Sequence, residues 1–71
     1  MTAVSWSEVA TYFDQAFPLK GRVERRDVMD LADADLASDD VIDAIDALGS
    51  RVFPTIDAAK AFLQSQGYIS D

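Results

Sequence analysis

Four stretches of the chain space their apolar residues as an amphipathic helix does. In the first, Trp6, Val9, Ala10, Phe13, Ala16 and Phe17 form one stripe. Ser5 and Glu8 have the spacing of a capping box, and Val4 and Val9 that of a hydrophobic staple. Pro18 is expected to end this helix, because it disfavours helical backbone at Phe17. A second helix is predicted over about Glu24 to Asp33, with Val28, Leu31 and Ala32 inward and Met29 at the edge. Ser38 then reads as the N-cap of a third helix, with Asp39 and Asp40 in the first turn, where they complement the helix dipole. Its apolar face is Val41, Ala44, Ile45 and Leu48, with Ile42 beside them, and Gly49 is the expected stop. Thr55 caps the fourth helix, whose inward residues are Ile56, Ala59, Phe62 and Leu63. Gly67 ends it, letting Tyr68 fold back toward Leu63.

The connectors are short. Gly21 permits a turn, Val23 points toward the core, and Val52 and Phe53 precede a proline that disfavours helix. The expected fold is all-α: a compact bundle of four short helices, with a minimal extended pair near Val23 and Val52. Two short strands are marginal without the helices around them.

Composition narrows how such a bundle holds together. Seventy-one residues make one domain, 1–71, near the lower size limit for independent folding. There is no cysteine for a disulfide and no histidine for a zinc site, so stability must come from the apolar half of the chain or from oligomerisation. No apolar run approaches the roughly 20 residues of a membrane helix. The N-terminal stretch lacks the basic-then-apolar pattern of a signal peptide, so a cytoplasmic protein is the expectation.

Phe17 to Ile69, about three-quarters of the chain, resembles a known bacterial family, domain of unknown function 2795. The motifs that carry the likeness are "FP" at 17–18, "RRDVMDLA" at 25–32, "SDDVIDAIDALG" at 38–49 and "RVFPTIDAAKAFL" at 51–63. The family usually has proline after the residue matching Leu48, where this chain has Gly49. The resemblance implies a small helical fold and brings no catalytic residues with it.

Charge is unevenly placed. "KGRVERR" holds Lys20, Arg22, Arg25 and Arg26 against Glu24, and eight aspartates follow, from Asp27 to Asp46, with no base until Arg51. A calcium loop starting at Asp33 would need oxygen ligands at its fifth and twelfth positions and glycine at its sixth. Those places hold Ala37, Ala44 and Ser38. A start at Asp30 puts Ala32 and Ala34 in the third and fifth places, so no metal site is expected. Ser38 sits at a helix start as a carrier serine does, but lacks the surrounding Asp-Ser-Leu pattern, and capping explains it. Without histidine or cysteine, and with its acids opposite the apolar stripes, the chain is expected to be neither an enzyme nor a cofactor carrier. Helices two and three resemble a helix-turn-helix in spacing. The would-be reading helix carries Asp39, Asp40, Asp43 and Asp46, the wrong sign for a groove, so direct nucleic-acid binding is not expected.

The aspartates themselves fall into rows. Asp27, Asp30 and Asp33 share a helix face at i, i+3 spacing, as do Asp40, Asp43 and Asp46. Aspartate is a poor helix former, and like charges at this spacing are mildly destabilising. Compositional bias of a GC-rich or salt-adapted source is the plain account. The functional account is a small, acidic, non-catalytic protein-interaction or regulatory module. It would meet a partner protein through Asp30, Asp33, Asp40, Asp43 and Asp46 or through Lys20, Arg22, Arg25 and Arg26. The alternative is an acidic nucleic-acid mimic, such as a phage-type inhibitor of a nuclease or a CRISPR complex. Monomer and homodimer both remain open, the dimer as a way to cover Trp6 or Tyr12.

Overall fold

The computed structural model describes residues 3–70. Its elements are α1 (Trp6–Lys20), β1 (Val23–Glu24), α2 (Arg25–Ala34), α3 (Asp39–Asp46), β2 (Val52–Phe53) and α4 (Ile56–Ser65). The four helices enclose one core, and the strands form a small antiparallel pair, Val23 opposite Phe53 and Glu24 opposite Val52. The mostly helical bundle and the extended pair near Val23 and Val52 are therefore both present.

Local chemistry sets the helix starts. The Glu8 carboxylate accepts from the Ser5 backbone N–H at 3.2 Å. Ser38 Oγ accepts from Val41 N–H at 3.4 Å, and Thr55 Oγ1 from Ala58 N–H at 3.1 Å. The ends are set by left-handed residues. At the close of α4, Gly67 has φ +80°, and Tyr68 N–H reaches back to the Leu63 carbonyl at 3.0 Å, the long bond of a Schellman turn.

Two ends differ from expectation. Pro18 lies inside α1, which continues to Lys20 and closes with a Gly21 N–H to Phe17 carbonyl bond of 2.8 Å. Proline forfeits the bond its own nitrogen would have made and crowds the carbonyl four residues back, a cost incurred here once, in the last turn. Gly21 in left-handed geometry then ends the helix, and Lys20 is held by ion pairs to the start of α2. After α3 the chain tightens: Leu48 and Gly49 bond back three residues, to Ile45 and Asp46, so the helix ends at Asp46 while Leu48 stays buried.

Val9, Phe13 and Ala16 of α1 meet Val23, Val28, Ala32, Ala44, Ile45, Leu48, Ala59 and Leu63 in the solvent-excluded core. Trp6 stands edge-on to Phe13, with centroids 5.2 Å apart and planes at 88°. Tyr12 is buried, and Trp6 is partly buried against the same core. The two ends of the described chain meet in an isolated parallel bridge, Val4 with Ile69. The Cα radius of gyration is 10.6 Å, against about 11 Å for a compact chain of this length.

One turn is strained. Leu36 has φ 55° and is 90% exposed. It occupies the left-handed place of a Schellman turn, since Ala37 N–H bonds the Ala32 carbonyl at 3.0 Å. A β-carbon in this conformation costs about 1–2 kcal/mol, which glycine avoids while losing part of the gain to unfolded-chain entropy. Leu36→Gly is expected to raise stability by about 0.5–1 kcal/mol, read as a higher urea midpoint. A lower midpoint would mean that the exposed leucine makes a stabilising contact.

Candidate interaction surfaces

Arg25 Nη1 donates to Asp46 Oδ1 at 2.7 Å, fastening the start of α2 to the end of α3. The two helices therefore run antiparallel, and the two aspartate rows lie on neighbouring elements. Asp30 and Asp33 on α2, and Asp39, Asp40 and Asp43 on α3, are exposed. Among the described residues none of these five has an ion-pair or side-chain hydrogen-bond partner.

The other members of the rows are engaged. Asp46 holds Arg25. Asp27, expected in line with Asp30 and Asp33, turns inward, its side chain only 14% exposed and its Oδ2 3.2 Å from Lys20 Nζ. That oxygen is buried without a well-directed hydrogen bond, so charge holds the contact. Asp35 accepts from the Tyr12 hydroxyl at 2.7 Å. The neighbouring carboxylate and partial burial raise the Tyr12 pKa above the ordinary phenol value.

The basic segment is largely consumed inside the molecule. Lys20 also meets Glu24 at 3.3 Å, and Arg22 Nε meets the same Glu24 oxygen at 2.9 Å. Asp27 first, then Glu24, raises the Lys20 ammonium pKa, while Arg22 and then Lys20 hold the Glu24 carboxyl below its usual value. Two further cations lie over rings: Arg51 is 4.7 Å from the Phe62 centroid, and Lys60 is 5.5 Å from that of Trp6. Of the six cations, Arg26 alone has no partner among the described residues. The basic segment is thus divided: Lys20, Arg22 and Arg25 are paired, and Arg26 is unpaired among the described residues.

Arg26 borders a shallow cleft of about 260 Å³, lined by Glu24, Arg25, Arg26, Gly49, Ser50, Arg51 and Val52. The strand register builds it. With Glu24 opposite Val52, the residues next to that pair, Arg25 at the start of α2 and Arg51 before β2, flank the same end of the ladder. Arg51 was not among the expected site residues. Its signal in the sequence was indirect: it flanks the extended residue proposed to pair near Val23.

Among the described residues no group of three or more acidic side chains is arranged to hold a metal ion, and no helix is long and apolar enough to cross a membrane. Comparison with family models, with curated proteins and with solved structures found no match.

Proposed function

We propose that this chain is a non-catalytic interaction module that presents its α2–α3 aspartate face to a basic surface on a partner protein. A cytoplasmic setting and kinship with the helical family named above belong to this reading. One observation carries it: the ion pairs among the described residues engage Glu24, Asp27 and Asp46, leaving Asp30, Asp33, Asp39, Asp40 and Asp43 exposed and unneutralised on adjacent helices. With a net charge of −7, the chain attracts basic surfaces and repels phosphate backbones. Exposed carboxylates of this kind steer encounter and select partners more than they add affinity.

The test is affinity capture from the source cell with the wild-type chain and with a variant carrying Asp30→Asn, Asp33→Asn, Asp40→Asn and Asp43→Asn. At about 0.5 kcal/mol per exposed charge, the captured partner is expected to bind the variant about 30-fold more weakly. Its binding to wild type should fall steeply with salt. Equal binding by both chains would reduce the aspartates to a solvated surface. The nucleic-acid-mimic reading rests on the same carboxylates and makes one further demand: a DNA or RNA duplex must displace the captured partner.

A further inference from the structure

We infer that the cleft between the start of α2 and the 49–52 turn is a second binding site, one that takes a carboxylate from an acidic, extended segment of a protein. It is separate from the aspartate face. Its cations differ in what they have left to offer. Arg25 already donates to Asp46, and Glu24, the acid in the lining, is already engaged by Lys20 and Arg22. Arg26 has no partner among the described residues, and Arg51 only lies over the Phe62 ring, which leaves its in-plane N–H donors available. Two guanidinium groups without a carboxylate therefore border one cleft. A guanidinium presents a planar fork of donors that matches the two oxygens of a carboxylate.

Size and charge select the ligand class. A cleft of about 260 Å³ falls short of the roughly 300–1,000 Å³ typical of small-molecule pockets. It is large enough for one anionic side chain and its neighbours. Phosphate chemistry shares the geometry but suits the surroundings less well. Glu24 lines the cleft, and a dianion meets more repulsion from it than a monoanion does. A nucleic acid would also bring a long run of phosphates toward a chain of net charge −7. Val52, 54% exposed, completes the lining and favours an apolar residue next to the acid.

The probe is a fluorescein-labelled peptide of alternating glutamate and valine, titrated with the full chain at physiological ionic strength and followed by anisotropy. Saturable binding is expected. Arg26→Glu, at an exposed residue with no partner to lose, is expected to weaken it by about tenfold or more, the value of one charge-assisted hydrogen bond. Arg51→Gln is expected to act in the same direction. If losing the Phe62 contact unfolds that variant, as circular dichroism would show, Arg26→Glu still reads the same cleft. The four-aspartate variant should bind the peptide at least as well as wild type, which separates this site from the aspartate face. Absence of saturable binding overturns the proposal, as does peptide affinity indifferent to Arg26→Glu. Displacement of the peptide by millimolar inorganic phosphate would reassign the cleft to phosphate. Concentration-dependent self-association in sedimentation, abolished by Arg26→Glu, would make a second copy the occupant and overturn it equally.

Discussion

Replacing Phe13 with alanine is expected to remove about 3–5 kcal/mol of stability, which for this chain is a large share of the whole. A domain of 71 residues holds roughly 4–10 kcal/mol in total. Phe13 is fully excluded from solvent at the centre of the bundle. Its ring also receives the edge of Trp6 at 5.2 Å, an aromatic contact worth about 0.5–1.5 kcal/mol beyond the area it buries. No cysteine is present to staple the chain, so nothing outside the core compensates for the lost volume. Urea unfolding followed by far-ultraviolet circular dichroism measures the loss, and Trp6 fluorescence reports the same transition from the contact itself. A loss below about 0.5 kcal/mol, the range of an ordinary surface change, would place the stabilising core elsewhere.

A change near the C-terminus is expected to cost nearly as much. Ile69→Ala should lower stability by about 2–4 kcal/mol, or the melting temperature by roughly 15 °C for a domain this small. Terminal segments usually fray, and a frayed residue would tolerate alanine almost freely. Here Ile69 is 5% exposed and sits in a parallel bridge with Val4. Val4 N–H donates to the Tyr68 carbonyl at 3.1 Å, and Ser70 N–H donates to the Val4 carbonyl at 2.9 Å. These bonds join residues some 66 positions apart, so the tail closes the bundle across α1 and α4. Thermal unfolding of Ile69→Ala beside Gln66→Ala separates side-chain burial from a change anywhere in the last turn, because Gln66 is exposed. Equal, small shifts for both would show that the last turn carries no core.

The helices were readable because the forces that define them act over a few residues. Ser5, Ser38 and Thr55 precede apolar stripes, and each lies at the N-cap of a helix. Pro18 was misread for a related reason. A local steric preference predicts a stop, but one lost hydrogen bond in a last turn is outweighed by the ion pairs and the Gly21 closure around it. Tyr12, outside the predicted stripe, is buried because its ring packs in the core while its hydroxyl finds Asp35, 23 positions away. The Leu36 turn carried no glycine or asparagine to announce its left-handed backbone.

Charge was the hardest feature to read, and the candidate surfaces depend on it. Residue spacing along one helix is enough to put Asp30 and Asp33, or Asp40 and Asp43, on a common face. Whether a carboxylate stays free depends on which cation the fold brings within about 4 Å, and that cation can lie anywhere in the chain. Asp46 meets Arg25 across 21 positions, and Arg51 reaches the cleft through the register of a strand pair two residues long. Periodicity and capping are properties of neighbours, so the order of residues already contained the four helices. The division of the charges into paired and unpaired arose only when packing fixed distances between segments remote in sequence.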